Sequence, residues 1–180
     1  SSVYRRGGNK MKRNLIFWLI ICLALVGSSA YAQTLKLGSE PDGFRGIKWG
    51  QDVSTVDGLI YQFSNGDSDF YFRSNDELKM GAAELEMIVY VFWQDRFSGV
   101  MLFTDGSSNW ENLKAVVFEK FGEGQQENEQ YIWRGIEVGM VLEYNEFSEE
   151  GTFGMISMKE LLEQKKWEAE QNKKGVEEDW

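Results

Sequence analysis

Apolar and polar positions alternate along most of this chain with the period of two that marks β-strands. The clearest stretch is Glu84 to Gln94 (ELEMIVYVFWQ). Leu85, Met87, Val89, Val91 and Trp93 fall on one face, and Glu86, Ile88, Tyr90 and Phe92 on the other. Because both faces are largely apolar, this strand is expected inside a sheet that is covered on both sides. Asp95-Arg96 turns the chain, and Phe97 to Thr104 returns antiparallel. Upstream, Phe44 to Trp49 (FRGIKW) reads as one brief strand with Phe44, Ile47 and Trp49 inward. Asp52 is placed to cap a short helical turn through Val56, which Gly58 ends. Leu59–Phe63 and Asp69–Arg73 flank Ser64-Asn65-Gly66-Asp67, and Asn-Gly is a strong hairpin signal.

The period changes once, after Ser108. Trp110, Leu113, Val117 and Phe121 recur at helical spacing, and Gly122 ends the run. Ser108-Asn109-Trp110-Glu111 has the spacing of a capping box at the start of this helix. A polar loop, Gly124 to Gln130, leads back to strands at Tyr131–Trp133, Ile136–Tyr144 and Thr152–Met158; along the second, Ile136, Val138, Met140, Leu142 and Tyr144 alternate cleanly. From Lys159 the chain is helix-prone and highly charged, a helical tail over residues 159–180. Strands arriving in hairpins around one strong helix predict an α+β fold. In it, an antiparallel sheet of hairpins is packed by one main amphipathic helix, with a short N-terminal helix and a charged C-terminal one. Each half opens with a helix and continues in strands, which hints at an internal duplication, although no residue-level repeat is visible.

The start of the chain has a different character. Lys12 and Arg13 precede an unbroken apolar run, Leu15 to Val26, followed by Gly27-Ser28-Ser29-Ala30-Tyr31-Ala32. A positive stretch, an apolar core and small residues framing a cleavage point make a secretory signal, here residues 11–32. The run is about a dozen residues, short of the roughly 20 that span a bilayer, so a retained anchor is the lesser reading. Ile20 and Ile21 before Cys22 do not suit a lipid-anchoring signal. Residues 1–10 form an upstream extension outside the fold, 33–43 a linker with the chain's single proline, and 44–158 one domain. The expected location is periplasmic or secreted after cleavage near Ala32, with no stable membrane span in the mature form.

Cleavage there removes five of the 19 Lys and Arg and none of the 29 Asp and Glu, leaving a formal charge of −15 on 148 residues. Such a field repels phosphate backbones, so nucleic acid is excluded as a partner. Cys22, the only cysteine, departs as well, so the mature domain is held without disulfides. Trp, Phe and Tyr are abundant, and each can bury roughly 150–250 Å². Trp93, Trp110 and Trp133 lie at apolar-face positions and read as core.

Histidine is absent from the entire chain. Without it and without cysteine, Ser-His-Asp and Cys-His catalysis and imidazole- or thiolate-ligated metal centres are excluded. No nucleophile elbow and no phosphate-binding glycine loop is present. No cofactor, metal or catalytic residue is therefore assigned. Asn65-Gly66-Asp67-Ser68-Asp69 spaces oxygen ligands like the start of a calcium loop but lacks the closing glutamate, so it reads as a turn. Carboxylate chemistry survives exclusion, with Glu84, Glu86, Glu137 and Glu143 in or beside strands; a carboxylate-dependent hydrolase acting on envelope glycans is the alternative to a non-catalytic binding or accessory module. Trp49, Phe70, Tyr71 and Tyr144, nearer the loops, and Trp167 in the tail form a candidate binding surface.

Phe44-Arg45-Gly46-Ile47-Lys48-Trp49-Gly50 and Asp76-Glu77-Leu78-Lys79-Met80-Gly81 running into Glu84-Leu85-Glu86 are the most distinctive segments. With Gln94-Asp95-Arg96-Phe97, Phe118-Glu119-Lys120-Phe121-Gly122 and Leu142-Glu143-Tyr144-Asn145, they resemble an uncharacterised family of small exported, periplasmic bacterial proteins. The likeness covers roughly Pro41 to Met158 and implies an envelope location and a compact domain, with no activity attached. The order of elements also looks like small envelope domains of the β-lactamase-inhibitor-like type, which implies a partner that is another envelope protein. That second likeness is one of architecture alone.

Overall fold

A computed structural model of the chain describes residues 35–178. The signal segment, its cleavage point, Cys22 and the upstream extension lie outside the described residues. Twelve strands, one short 3-10 helix and two α-helices are described: β1 (Gly43–Phe44), β2 (Ile47–Lys48), the 3-10 helix (Val53–Thr55) capped by Asp52, β3 (Leu59–Asn65), β4 (Ser68–Arg73), β5 (Lys79–Met80), β6 (Ala83–Glu84), β7 (Met87–Trp93), β8 (Arg96–Asp105), a central helix (Ser107–Phe121), β9 (Gln125–Glu127), β10 (Gln130–Arg134), β11 (Val138–Asn145), β12 (Glu150–Ser157) and a C-terminal helix (Met158–Glu178). Eight strands form one antiparallel sheet in the order β3-β4-β7-β8-β12-β11-β10-β9. The fold is α+β. Each half of the sheet is a four-stranded meander; the last strands of the two halves, β8 and β12, pair at the centre, and the first strands, β3 and β9, are the two edges. No helix among the described residues is long and apolar enough to cross a membrane.

The alternation of apolar residues places one cluster on each face. The first holds Ile88, Tyr90, Phe92, Leu102, Met140, Leu142 and Phe153, together with Trp110, Leu113, Val117 and Phe121 of the central helix. The second holds Phe70, Val89, Val91, Met101, Phe103, Val141 and Ile156 with Leu161 of the C-terminal helix. Trp93, Trp110 and Trp133 are all buried.

Several elements depart from the expected ones, each for a local reason. Phe44 to Trp49 is not one strand but the hairpin β1–β2, turned at Arg45-Gly46, both with positive φ (48° and 82°). The Arg45 guanidinium holds that turn by donating to the carbonyls of Glu77 (2.7 Å) and Lys79 (2.8 Å). The stretch from Glu84 to Gln94 is broken. The Leu85 N–H bonds to Leu78 O, outside the large sheet, whereas Glu86 N–H bonds to Phe103 O within it. The turn between them sends Leu85 to the cluster of Ile88 and Tyr90 instead of that of Val89. Ile136 is exposed in the turn before β11. The polar loop after the central helix contains β9.

The capping box at Ser108 does not form. The helix begins at Ser107 behind Gly106, whose φ of 80° is open to glycine, and Glu111 pairs instead with Lys114 (2.8 Å). The side chains of an S-x-x-E pair do meet at Ser157 and Glu160, where the C-terminal helix starts. Glu160 is buried there, and a Cβ placed on Gly50 (φ 75°) would stand 2.9 Å from its Oε1, so Gly50 serves both the turn and this close approach. The N-terminal segment read as a linker is fastened to the sheet from Leu35 onward. Leu35 is buried, Lys36 N–H bonds to Phe121 O (2.8 Å), and Glu40 Oε1 accepts from the N–H groups of Glu137 (2.6 Å) and Val138 (3.0 Å).

Candidate functional site

Among the described residues, one sheet edge and two cavities stand out as places with the geometry to bind something. The edge is β3. Its inner side pairs with β4, and no described strand pairs with its outer side. The strand, Leu-Ile-Tyr-Gln-Phe-Ser-Asn, carries no charge, and Ile60 and Tyr61 are about half exposed (49% and 55%). A bulge between Tyr61 and Phe63 reverses the facing of the strand. Leu59 consequently packs on the first cluster and the exposed Tyr61 lies edge-on to Tyr71 (5.7 Å), while Phe63 stacks on Phe70 in the second (4.5 Å). The strand is thus anchored by rings on both faces of the sheet.

The first cavity, about 310 Å³, lies between the β1–β2 hairpin and the end of the central helix. Phe44, Met80, Phe121 and Met155 supply apolar walls, and Arg45 and Lys120 are its only charged lining residues. Each cation sits over an aromatic ring, Arg45 over Phe44 (5.4 Å) and Lys120 over Phe121 (5.3 Å). Arg45 also pairs with Asp76 (3.4 Å), which accepts a hydrogen bond from the buried Tyr90 hydroxyl (2.6 Å). Burial, reinforced by that bond to Asp76, holds the Tyr90 phenol protonated well above its ordinary range.

The second cavity, about 240 Å³, is acidic. It is lined by Glu129, Glu143, Tyr144, Asn145, Glu146 and the fully exposed Phe147. Burial raises the pKa of Glu143, and the neighbouring Glu129 adds to the rise, while a hydrogen bond from Gln130 opposes it. Of the four strand acids singled out above, Glu143 lines this cavity, whereas Glu84, Glu86 and Glu137 are exposed elsewhere. The Asn65–Asp69 segment is the β3–β4 turn, in which Ser64 donates to Asp69.

The five aromatics expected to form a binding surface do not gather. Phe70 is 1% exposed and belongs to the second cluster, because its strand position points it under Phe63. Trp49 stacks on Phe97 (5.0 Å) and donates its indole N–H to Pro41 O (2.9 Å). Tyr71, one residue from Phe70 and on the opposite face, packs edge-on to Phe92 (5.3 Å). Tyr144 stacks on Trp110 (5.4 Å) and lines the acidic cavity. Trp167 is half-buried on the C-terminal helix. Ile60 and Tyr61 were missed; their signal was an uncharged strand in a chain rich in acids. No family model, curated protein or solved structure matches the chain.

Proposed function

We propose that this protein is a non-catalytic binding module of the bacterial envelope, delivered there by the signal at residues 11–32, and that β3 is its working edge. An extended segment of another envelope protein adds to the sheet along Leu59–Asn65. The observation that carries the reading is the uncharged outer strand with Ile60 and Tyr61 exposed. An open edge presents a row of backbone donors and acceptors to any extended chain, and side chains of alternate residues supply selectivity. In a chain of net charge −10, a seven-residue uncharged edge is where a partner segment meets least repulsion. The central helix then acts as structural cover for the first face, and the charged C-terminal helix as an outer support. The resemblance to small exported proteins agrees with the location.

The test compares wild type with the double variant Ile60→Lys/Tyr61→Lys as baits in an envelope fraction. A segment captured by wild type should be lost with the variant, and on binding should protect the backbone amides of Leu59–Asn65 from hydrogen exchange. Equal capture by both proteins, or protection elsewhere, overturns the edge. A working form that begins at residue 11 and resides in the cytosol overturns the location. The raised pKa of Glu143 beside Glu129 and Glu146 supports the alternative, a carboxylate-dependent hydrolase of envelope glycans. Glycan cleavage by the purified chain that Glu143→Gln abolishes would select it.

A further inference from the structure

The cationic cavity is independent of the β3 edge. We propose that it binds a small amphipathic anion, a single negatively charged head group on an apolar body. Its apolar walls come from four parts of the fold: Phe44 from the β1–β2 hairpin, Met80 from β5, Phe121 from the central helix and Met155 from the sheet beneath it. Their mouth is flanked by Arg45 and Lys120, and no acidic residue lines it. The acidic cavity, with three glutamates in its lining, is its electrostatic opposite. Arg45 is already paired with Asp76, so in a chain with 29 acids against 19 bases the charge selection of this apolar cavity rests mainly on Lys120.

Two features tune the site for an anion. The end of a helix carries partial negative charge, which would oppose an anion near Phe121. Here that charge is partly offset: Phe121 O accepts from Lys36 N–H and Gly122 O from the indole N–H of Trp133, beyond the closing bond from Gly122 N–H to Phe118 O. Arg45 is fixed by Asp76 and two backbone carbonyls, so it forms a rigid wall, whereas Lys120 is exposed and free to swing towards a head group. The volume of about 310 Å³ is at the low end of ligand pockets, roughly 300–1,000 Å³. A medium-length acyl chain or a single aryl ring fits that space better than a long lipid.

The test uses the full chain labelled at its methionine methyl groups and observed by NMR. Octanoate and 4-phenylbutyrate are the probes, which separates a linear acyl source from an aromatic one; octylamine is the charge-reversed control. Either anion should shift the methyl resonances of Met80 and Met155 saturably, leaving the buried Met101 and Met140 methyls in place. Octylamine should leave all four unmoved. Lys120→Glu should weaken the anion at least about fivefold, and Lys120→Gln by less, as expected for a partly exposed charge pair. Circular dichroism and unchanged Met101 and Met140 shifts verify that these variants are folded. No saturable shift at Met80 and Met155, equal binding of octylamine, or an affinity indifferent to Lys120→Glu overturns the proposal.

Discussion

The two edges of the sheet occupy equivalent places in its two halves, yet they are finished in opposite ways. β9 has three residues, Gln125–Glu127, and is flanked by Glu123 and Glu129. Arg134 of the adjacent strand clamps it through a two-pronged pair with Glu127 (2.8 and 3.2 Å). An incoming strand would find little ladder there and a charged pair within the strand; acids flank both edges, Glu123 and Glu129 here and Asp57 and Asp67 at β3. β3 has seven residues, none charged, and exposes Ile60 and Tyr61. Short length and charge are the devices by which proteins protect a sheet edge, and here one edge has both and the other neither. An edge left open on one side only is a feature to be explained by use. The bulge at Tyr61/Phe63 limits the opening, because it twists the strand and shortens the regular segment that a partner can pair with.

The comparison breaks most severely at Phe70. This ring is 1% exposed and stacks on Phe63, so it fastens the open edge to the second core cluster. Phe70→Ala should lower the unfolding free energy by about 3–5 kcal/mol in chemical denaturation, the usual cost of emptying a buried aromatic site. A loss below about 1 kcal/mol would mean that the edge strand is held by its backbone ladder alone. The blunted edge should respond less. Glu127→Ala removes the carboxylate that Arg134 grips and leaves a largely buried guanidinium with fewer acceptors, a cost of about 1–3 kcal/mol. Amide exchange at Gln125–Glu127 should quicken in that variant while β3 is unchanged.

Much of this arrangement was legible in the chain. Alternation identified the strands of the large sheet other than β9, which reads as a polar loop, and helical spacing identified all four buried positions of the central helix, Trp110, Leu113, Val117 and Phe121. These succeeded because burial on a face imposes a period. What periodicity could not show was where a strand is interrupted. The break at Leu85-Glu86 depends on a bond to Leu78 O, and the Arg45-Gly46 turn on carbonyls more than thirty residues away. The capping box failed at Ser108 because the helix starts one residue earlier, behind Gly106, while the same spacing at Ser157 passed unnoticed. The candidate surface failed for a simpler reason. Phe70 and Tyr71 both read as lying nearer the loops, but adjacent residues in a strand face opposite ways, which sends Phe70 into the second core cluster. Edge status, which singles out Ile60 and Tyr61, is a property of strand order and so was not accessible from local pattern.

A pH experiment sharpens the contrast at the acidic side. Glu143, on β11 two strands in from the blunted edge, has a pKa raised above 4.5, chiefly by burial. A carboxyl whose folded pKa is raised favours the folded state while it is protonated, so its contribution is present at low pH. That contribution is lost as the pH climbs from 4.5 through the raised value. Glu143→Gln keeps an acceptor for Gln130 and removes the charge. Its melting temperature should exceed that of wild type at neutral pH, and the difference should vanish in acid. An advantage that persists below about pH 4 would assign it to packing instead.

The smallest effect on stability is expected at the open edge itself, and this is what separates stability from use. Ile60→Lys replaces a half-exposed side chain on a strand whose outer side has no described partner, so unfolding free energy should change by no more than about 0.5 kcal/mol. Lysine on an edge is also the commonest guard against strand addition. The variant should therefore keep its fold, lose strand-adding partners, and associate less than wild type when concentrated, as read by sedimentation or light scattering. If Ile60→Lys destabilises the chain as much as Phe70→Ala does, β3 is covered rather than open, and its difference from β9 is one of packing. A near-silent substitution that removes association would instead mean that the apolar character of this edge is spent on contact with another chain and contributes little to holding this one together.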